Sequence, residues 1–187
     1  MASPFLYFPG DALSLAELTA ARLDGHTVDL GDAFIPADAV ETPALRAGSL
    51  AALLGDVLAA THLSAAWVHG GLHDPPARHT VQRAVPRRLH RTFGRRLVYR
   101  DLCVEPDDLW LLGGVWVTHP VRTLADLVRT GDDENVRAAR MLVRAHPDLI
   151  EPARAHLRER RSLPNKKAAI ALLEGWAAVG GEVLRRT

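Results

Sequence analysis

Gly113-Gly114-Val115-Trp116-Val117-Thr118-His119-Pro120-Val121-Arg122-Thr123-Leu124-Ala125-Asp126-Leu127 reads as a hairpin turn, a short strand, a sharp helix start and a helix. Paired glycines suit a two-residue turn whose members take positive φ. Val115 to Thr118 is β-branched and aromatic, as strands prefer. His119 precedes a proline, which moves it out of helical geometry and into the N-cap position, with Pro120 at the first helical position. Arg122 and Asp126 stand at i,i+4 on one helix face and can pair. The corner has two readings: a site residue pair beside the Thr118-His119 cap, or a strand-to-helix junction. The junction gives each residue a local structural task, so it is the expectation carried forward.

Working outward, everything before this corner reads as short strands and helices, and everything after it as helices. Ser14-Leu15-Ala16-Glu17 is a capping box opening a helix over about 15–23. His26 to Leu30 and Ala33 to Ile35 flank the turn signal Gly31-Asp32. Helix plus ribbon matches the back half of a winged helix, and the residues before it do not supply that module's first two helices. Residues 1–41 are expected to be a truncated winged-helix-like helix and hairpin, or equally a helix and hairpin that only pack as a cap. Thr42-Pro43 caps a helix expected to run to about Ala59, and an Ala-rich helix follows to Gly70, with Trp67 as a core plug.

His79 to Val85 and Leu97 to Leu102 read as strands joined by the basic loop Pro86-Arg87-Arg88-Leu89-His90-Arg91, and together as a hairpin. Glu105-Pro106-Asp107-Asp108 is a turn, and Leu109 to Leu112 pairs with Val115 to Thr118. Helices follow from Pro120 to about Arg129, Asp133 to Ala145, about Asp148 to Arg160, and Lys166 to Val179. The expected class is α+β: a small, mostly antiparallel sheet with an N-terminal helix-plus-ribbon cap and a helical C-terminal part. Residues 42–187 form the main unit, mixed α/β over 42–130 and helical over 131–187.

A chain of 187 residues with 48% hydrophobic content builds an ordinary globular core. Its single cysteine, Cys103, excludes an intramolecular disulfide. The N-terminus has no basic stretch ahead of an apolar run, and the apolar segment 50–60 is too short to span a bilayer. A cytoplasmic protein without membrane contact is expected. Net charge is +1, yet residues 78–101 hold eight arginines and one aspartate, a local +7 that leaves −6 on the remainder. Such a field favours an anionic partner, nucleic acid first. The candidate contacts are Arg83, Arg87, Arg88, Arg91, Arg95 and Arg96, whose planar forks suit phosphate. A solvated face balanced by the acidic remainder is the competing reading.

Catalytic patterns are missing from the sequence. No G-x-S-x-G, G-x-x-x-x-G-K or G-x-G-x-x-G occurs. Lys166 and Lys167, the sole lysines, follow Leu163-Pro164-Asn165, so neither completes the acid-x-Lys pair of a metal-dependent nuclease. His69 and His73 have i,i+4 spacing, but Gly70-Gly71 interrupts the helix that a zinc site would need. No metal, cofactor or enzyme activity is expected; a degenerate nuclease-like enzyme is the minority alternative.

Ser64-Ala65-Ala66-Trp67-Val68-His69-Gly70, followed downstream by Thr118-x-Pro120-x-Arg122-Thr123-x-x-Asp126-Leu127, resembles the C-terminal domain of AbiEi-type antitoxins of type IV toxin–antitoxin systems. The likeness covers roughly 45–129. It implies a regulator whose N-terminal winged helix binds DNA and represses its own operon. It further implies that the C-terminal domain handles antitoxicity against a nucleotidyltransferase-type toxin. Ser64, Trp67, Thr118, Pro120, Arg122, Thr123 and Asp126 carry the resemblance. The expected function is thus a non-enzymatic antitoxin or transcriptional regulator binding nucleic acid through the arginine segment. A protein-interaction module without DNA binding is the alternative.

Overall fold

The computed structural model describes residues 3–90, 92–160 and 162–184, the last six of these as backbone only. Helix α1 (Leu15–Leu23) starts at the expected box: Glu17 Oε2 accepts from the Ser14 N–H at 2.8 Å, and Ser14 Oγ accepts from the Glu17 N–H at 3.3 Å. Strands β1 (Thr27–Leu30) and β2 (Ala33–Pro36) form an antiparallel ribbon closed by Leu30 and Ala33 across the two-residue turn. Leu30, Ala33 and Ile35 are buried against the elements that follow.

The expected helix from Pro43 to Ala59 is instead three elements. α2 (Pro43–Gly48) is capped by Thr42 Oγ1, which accepts from the Leu45 N–H at 3.2 Å. α3 (Ala51–Leu54) stops at Gly55, whose φ of 61° and ψ of −152° no helix accommodates. Leu58–Ala60 is strand β3, buried on both faces and flanked by partners on both sides. A strand covered on both faces shows no alternation, and alanines favour helix in isolation. Tertiary pairing overrides that preference here.

β3 lies at the centre of a five-stranded sheet of order β5-β4-β3-β7-β6, formed with β4 (His79–Arg83), β5 (Leu97–Cys103), β6 (Leu109–Leu112) and β7 (Val115–Thr118). The sheet is mixed, which corrects the mostly antiparallel expectation. β3 with β4 and β6 with β7 run antiparallel, whereas β3 with β7 and β4 with β5 run parallel. The two basic strands are therefore not a hairpin. Residues 84–96 form a crossover that returns the chain to the starting edge of β4.

The β6–β7 turn is as expected, with Gly113 and Gly114 at φ 55° and 83°. Gly113 has a second task. A β-carbon there would stand 2.2 Å from the Ala44 carbonyl oxygen, so its absence lets the turn dock on α2.

α4 (His62–Val68) joins two cores. Its Ala65, Trp67 and Val68 enter the cluster formed by the sheet and the N-terminal elements. Ala66 enters a second cluster built by α5 (Pro120–Thr130), α6 (Asp133–Ala145), α7 (Ile150–Glu159) and α8 (Lys166–Leu184). The class is α+β, with an N-terminal helix-and-strand region, small sheets and a C-terminal helical bundle. No helix among the described residues is long and apolar enough to cross a membrane.

Candidate functional site

The Gly113 to Leu127 corner is a closed hydrogen-bonded unit. His119 caps α5 with Nδ1, which accepts from the Val121 N–H at 3.2 Å, and its own N–H donates to the Asp108 carbonyl at 2.8 Å. Thr123 Oγ1 donates back to the Thr118 carbonyl at 3.0 Å and lies 2.7 Å from Thr118 Oγ1. His69 reaches the same carbonyl from α4, with Nε2–H donating at 2.8 Å. Burial holds the His69 pKa down at about 4, so the ring is neutral and a single donor.

Arg122 and Asp126 do pair, at 2.7 Å, and the pair is one part of a larger network. Arg122 also donates to Asp108 at 2.5 Å, Arg129 donates to Asp126 at 3.1 Å, and Arg160 donates to Asp108 at 2.9 Å. Both carboxylates are buried. Burial opposes the charge of Arg122, but Asp126 and Asp108 more than offset it and hold its pKa above the ordinary value. The network pins the loop before β6, α5 and the end of α7 to one another. Asp108 and Arg160 escape sequence reading because their partners come from distant segments, whereas Arg129 stands at i,i+3 from Asp126 and is legible in the helix spacing.

Ser64 and Trp67 are internal too. Ser64 Oγ accepts from the Thr80 N–H at 2.9 Å and lies 3.1 Å from His79 Nδ1, fastening α4 to β4. Ser64 has no exposed surface, and burial lowers the pKa of His79. This Ser–His pair has no access to a substrate. Trp67 is 1% exposed in the first core. Of the seven residues that carry the family likeness, Ser64, Trp67, Thr118, Thr123 and Asp126 are buried, and Pro120 and Arg122 are half-buried.

The arginine segment divides. Arg83 is 8% exposed; its guanidinium donates to the Val85 and Pro86 carbonyls at 3.2 and 2.6 Å, and its Nε forms an ion pair with Asp101 at 2.9 Å. That leaves it no face for phosphate, so Arg83 does not suit the contact role expected of it. Arg87, Arg88, Arg95 and Arg96 are exposed on the crossover, and the expected contact Arg91 lies outside the described residues. Arg88 is 75% exposed and only 3.8 Å from Asp101 at its closest, while Arg96 pairs with Asp32 of the ribbon turn. Phe93 stacks on Tyr99 with ring centroids 4.1 Å apart, which seats the crossover on β5. Arg87, Arg88, Leu89 and His90 border a hollow of about 470 Å³ shared with Asp56 and Val57.

Among the described residues no group of three or more His, Cys, Asp or Glu side chains could hold a metal ion. Cys103 is exposed at the end of β5, with its Sγ–H donating to the Val85 carbonyl at 3.4 Å. A protein-family model described as the AbiEi antitoxin C-terminal domain matches residues 58–174. No curated protein matches the chain.

Proposed function

Because the chain belongs to the AbiEi antitoxin C-terminal domain family, its matched region covering more than half of its length, we propose that it is a non-enzymatic, cytoplasmic regulator of the antitoxin type. The match to the family model carries this reading. Nucleic acid would be held by Arg87, Arg88, Arg95 and Arg96 on the crossover between β4 and β5. Their exposure supports that role, since a guanidinium must keep donors facing solvent to meet phosphate. The helix α1 and the ribbon β1–β2 would correspond to the back half of a winged helix.

A nucleotidyltransferase-type toxin would be the protein partner. An apolar groove of about 400 Å³, lined by Phe5, Ala39, Val40 and Leu45, supports a protein-binding role on the face formed by the N-terminal segment and α2. Phe5 is 55% and Val40 80% exposed.

The test is a mobility shift of the chain's own upstream DNA at two salt concentrations, run beside co-purification with a nucleotidyltransferase encoded next to it. Binding that weakens steeply as salt rises is the expected result for a phosphate-contacting loop. Co-purification without any salt-dependent DNA binding would replace this reading with that of a protein-interaction module alone.

A further inference from the structure

A second basic feature lies away from the crossover. Along β5 side chains alternate between the two faces of the sheet. Tyr99 and Asp101 face the crossover, whereas Arg100 points the other way, toward α4. There it borders a cleft of about 240 Å³ together with His62, Asp126, Arg129, Thr130 and Asn165. That volume is below the roughly 300–1,000 Å³ of sites that enclose a whole drug-sized ligand, and it suits a single polar group.

The way Arg100 is held distinguishes it from the corner arginines. Its Nη1 donates to His62 Nε2 at 3.0 Å. His62 Nδ1 then donates to Thr61 Oγ1 at 3.0 Å, and Thr61 Oγ1 donates to the Thr80 carbonyl at 3.3 Å. This relay requires a neutral imidazole, and burial supplies one by holding the His62 pKa at about 4. Arg100 is thus oriented by an uncharged acceptor, and its own charge is not cancelled by that partner. Arg100 also acts on the Asp132 carboxylate, whose oxygens already accept from the backbone and side chain of Asn135 at 2.9 Å. Asp126, the carboxylate on the cleft wall, is paired with Arg122 and Arg129.

Arg129 is the second cation of the cleft. It donates to Asp126 and to the Pro164 carbonyl, leaving other donors of its five-donor fork. His62 at φ 50° and Asn165 at φ 58° stand at the walls. Positive φ is uncommon outside glycine, although histidine and asparagine take it more readily than most residues, and such positions cluster at binding sites. Asn165 also borders a neighbouring hollow that holds Ser162, Lys166 and Lys167, the chain's two lysines among them.

We propose that the cleft is a phosphate site, taking the terminal phosphate of a nucleotide or of a nucleic-acid strand end. Arg100 and Arg129 are the donors, and the body of the ester lies along the hollow from Asn165 to Lys167. The site is separate from the crossover arginines and stands whether or not these bind DNA.

The test uses the full chain at about 50 mM ionic strength, where screening is modest. Arginine Nε–Hε resonances are followed while inorganic phosphate, adenosine monophosphate, and a hexanucleotide with or without a 5′-phosphate are added. Saturable shifts of the Arg100 and Arg129 signals are expected, with the 5′-phosphorylated strand or the nucleotide binding more tightly than inorganic phosphate. Whichever of the two binds tighter identifies the source. Arg100→Gln, an exposed position on an edge strand, should weaken phosphate binding about 10- to 100-fold. Arg87→Gln with Arg88→Gln should leave it unchanged. The proposal is overturned if no probe saturates by about 20 mM, if Arg100→Gln has no effect, or if the crossover variant weakens phosphate equally. It is also overturned if the 5′-phosphate adds nothing to the strand and the nucleotide is no tighter than phosphate alone.

Discussion

The corner at Thr118 to Asp126 and the crossover between β4 and β5 both draw their character from arginine, and they use it in opposite ways. Arg122 is caught between two buried carboxylates, at 2.7 Å from Asp126 and 2.5 Å from Asp108. Arg87 and Arg88 stand in solvent on a loop without regular structure, the second no nearer than 3.8 Å to a carboxylate. A guanidinium whose fork is filled by protein oxygens is part of the scaffold. One left facing water remains available to a phosphate. Residue type is the same in both places; the partners decide the role.

The hardest way to break this contrast is to remove the guanidinium from the corner. Arg122→Met leaves Asp126 with Arg129 alone and Asp108 with Arg160, both carboxylates still buried. Stripping one partner from a buried ionic network costs about 3–5 kcal/mol, because the remaining charge stays out of water. Urea denaturation should show the midpoint falling by a corresponding amount with the slope unchanged. A loss below about 1 kcal/mol would mean that the network contributes little to the scaffold, and the corner would return as a candidate site.

Acid should act on the same part of the molecule with nearly the same force. His62 and His69 have folded pKa values near 4 against 6.5 in an unstructured chain. A group whose folded pKa is depressed binds its proton more readily unfolded, so its stabilising contribution is present above 6.5 and falls away toward 4. At pH 5 each histidine should have forfeited about 2 kcal/mol relative to pH 7.5. Urea midpoints across that range measure it. Both rings are hydrogen-bonded inside the molecule, and protonating them places a charge there that burial opposes.

Gly113→Ala comes next. The residue sits at φ 55°, and the added carbon would meet the Ala44 carbonyl at 2.2 Å. Left-handed backbone with a β-carbon costs roughly 1–2 kcal/mol, and moving α2 away adds to it, for a total of about 3 kcal/mol. Thermal unfolding should register the change, and an unaffected melting temperature would show that the turn and α2 can part without loss.

Most of what is local can be read from the chain. The Ser14 capping box, the Gly113-Gly114 turn, the Pro120 helix start and the helix from Asp133 to Ala145 carry their signals within four or five residues, and the structure places them there. Leu58-Ala59-Ala60 is different, since nothing in three apolar residues announces the middle of a sheet, and its partners lie at 81–83 and 116–117. The direction of β5 relative to β4 is equally hidden. A crossover and a hairpin loop of thirteen residues look alike until the sheet edge is known. For the site, the cluster of arginines is countable, but its division is not. Arg83 is withdrawn by Asp101, eighteen positions on, whereas Arg96 pairs with Asp32, sixty-four positions back, and still stays exposed.

The smallest expected effect on stability is also the sharpest test of the contrast. Arg87→Gln with Arg88→Gln removes two exposed side chains and at most one distant ion pair, so stability should stay within about 0.5 kcal/mol of the parent. Binding to DNA should nevertheless weaken to the same degree for every sequence tried, because arginines that meet phosphate carry no base information. Each arginine withdrawn from a phosphate should reduce the slope of log affinity against log salt by about 1, so the double variant should lower it by about 2. An unchanged slope with unchanged stability would empty the crossover of its role, and the segment's excess of positive charge would then be a solvated counterweight to the acidic remainder of the chain.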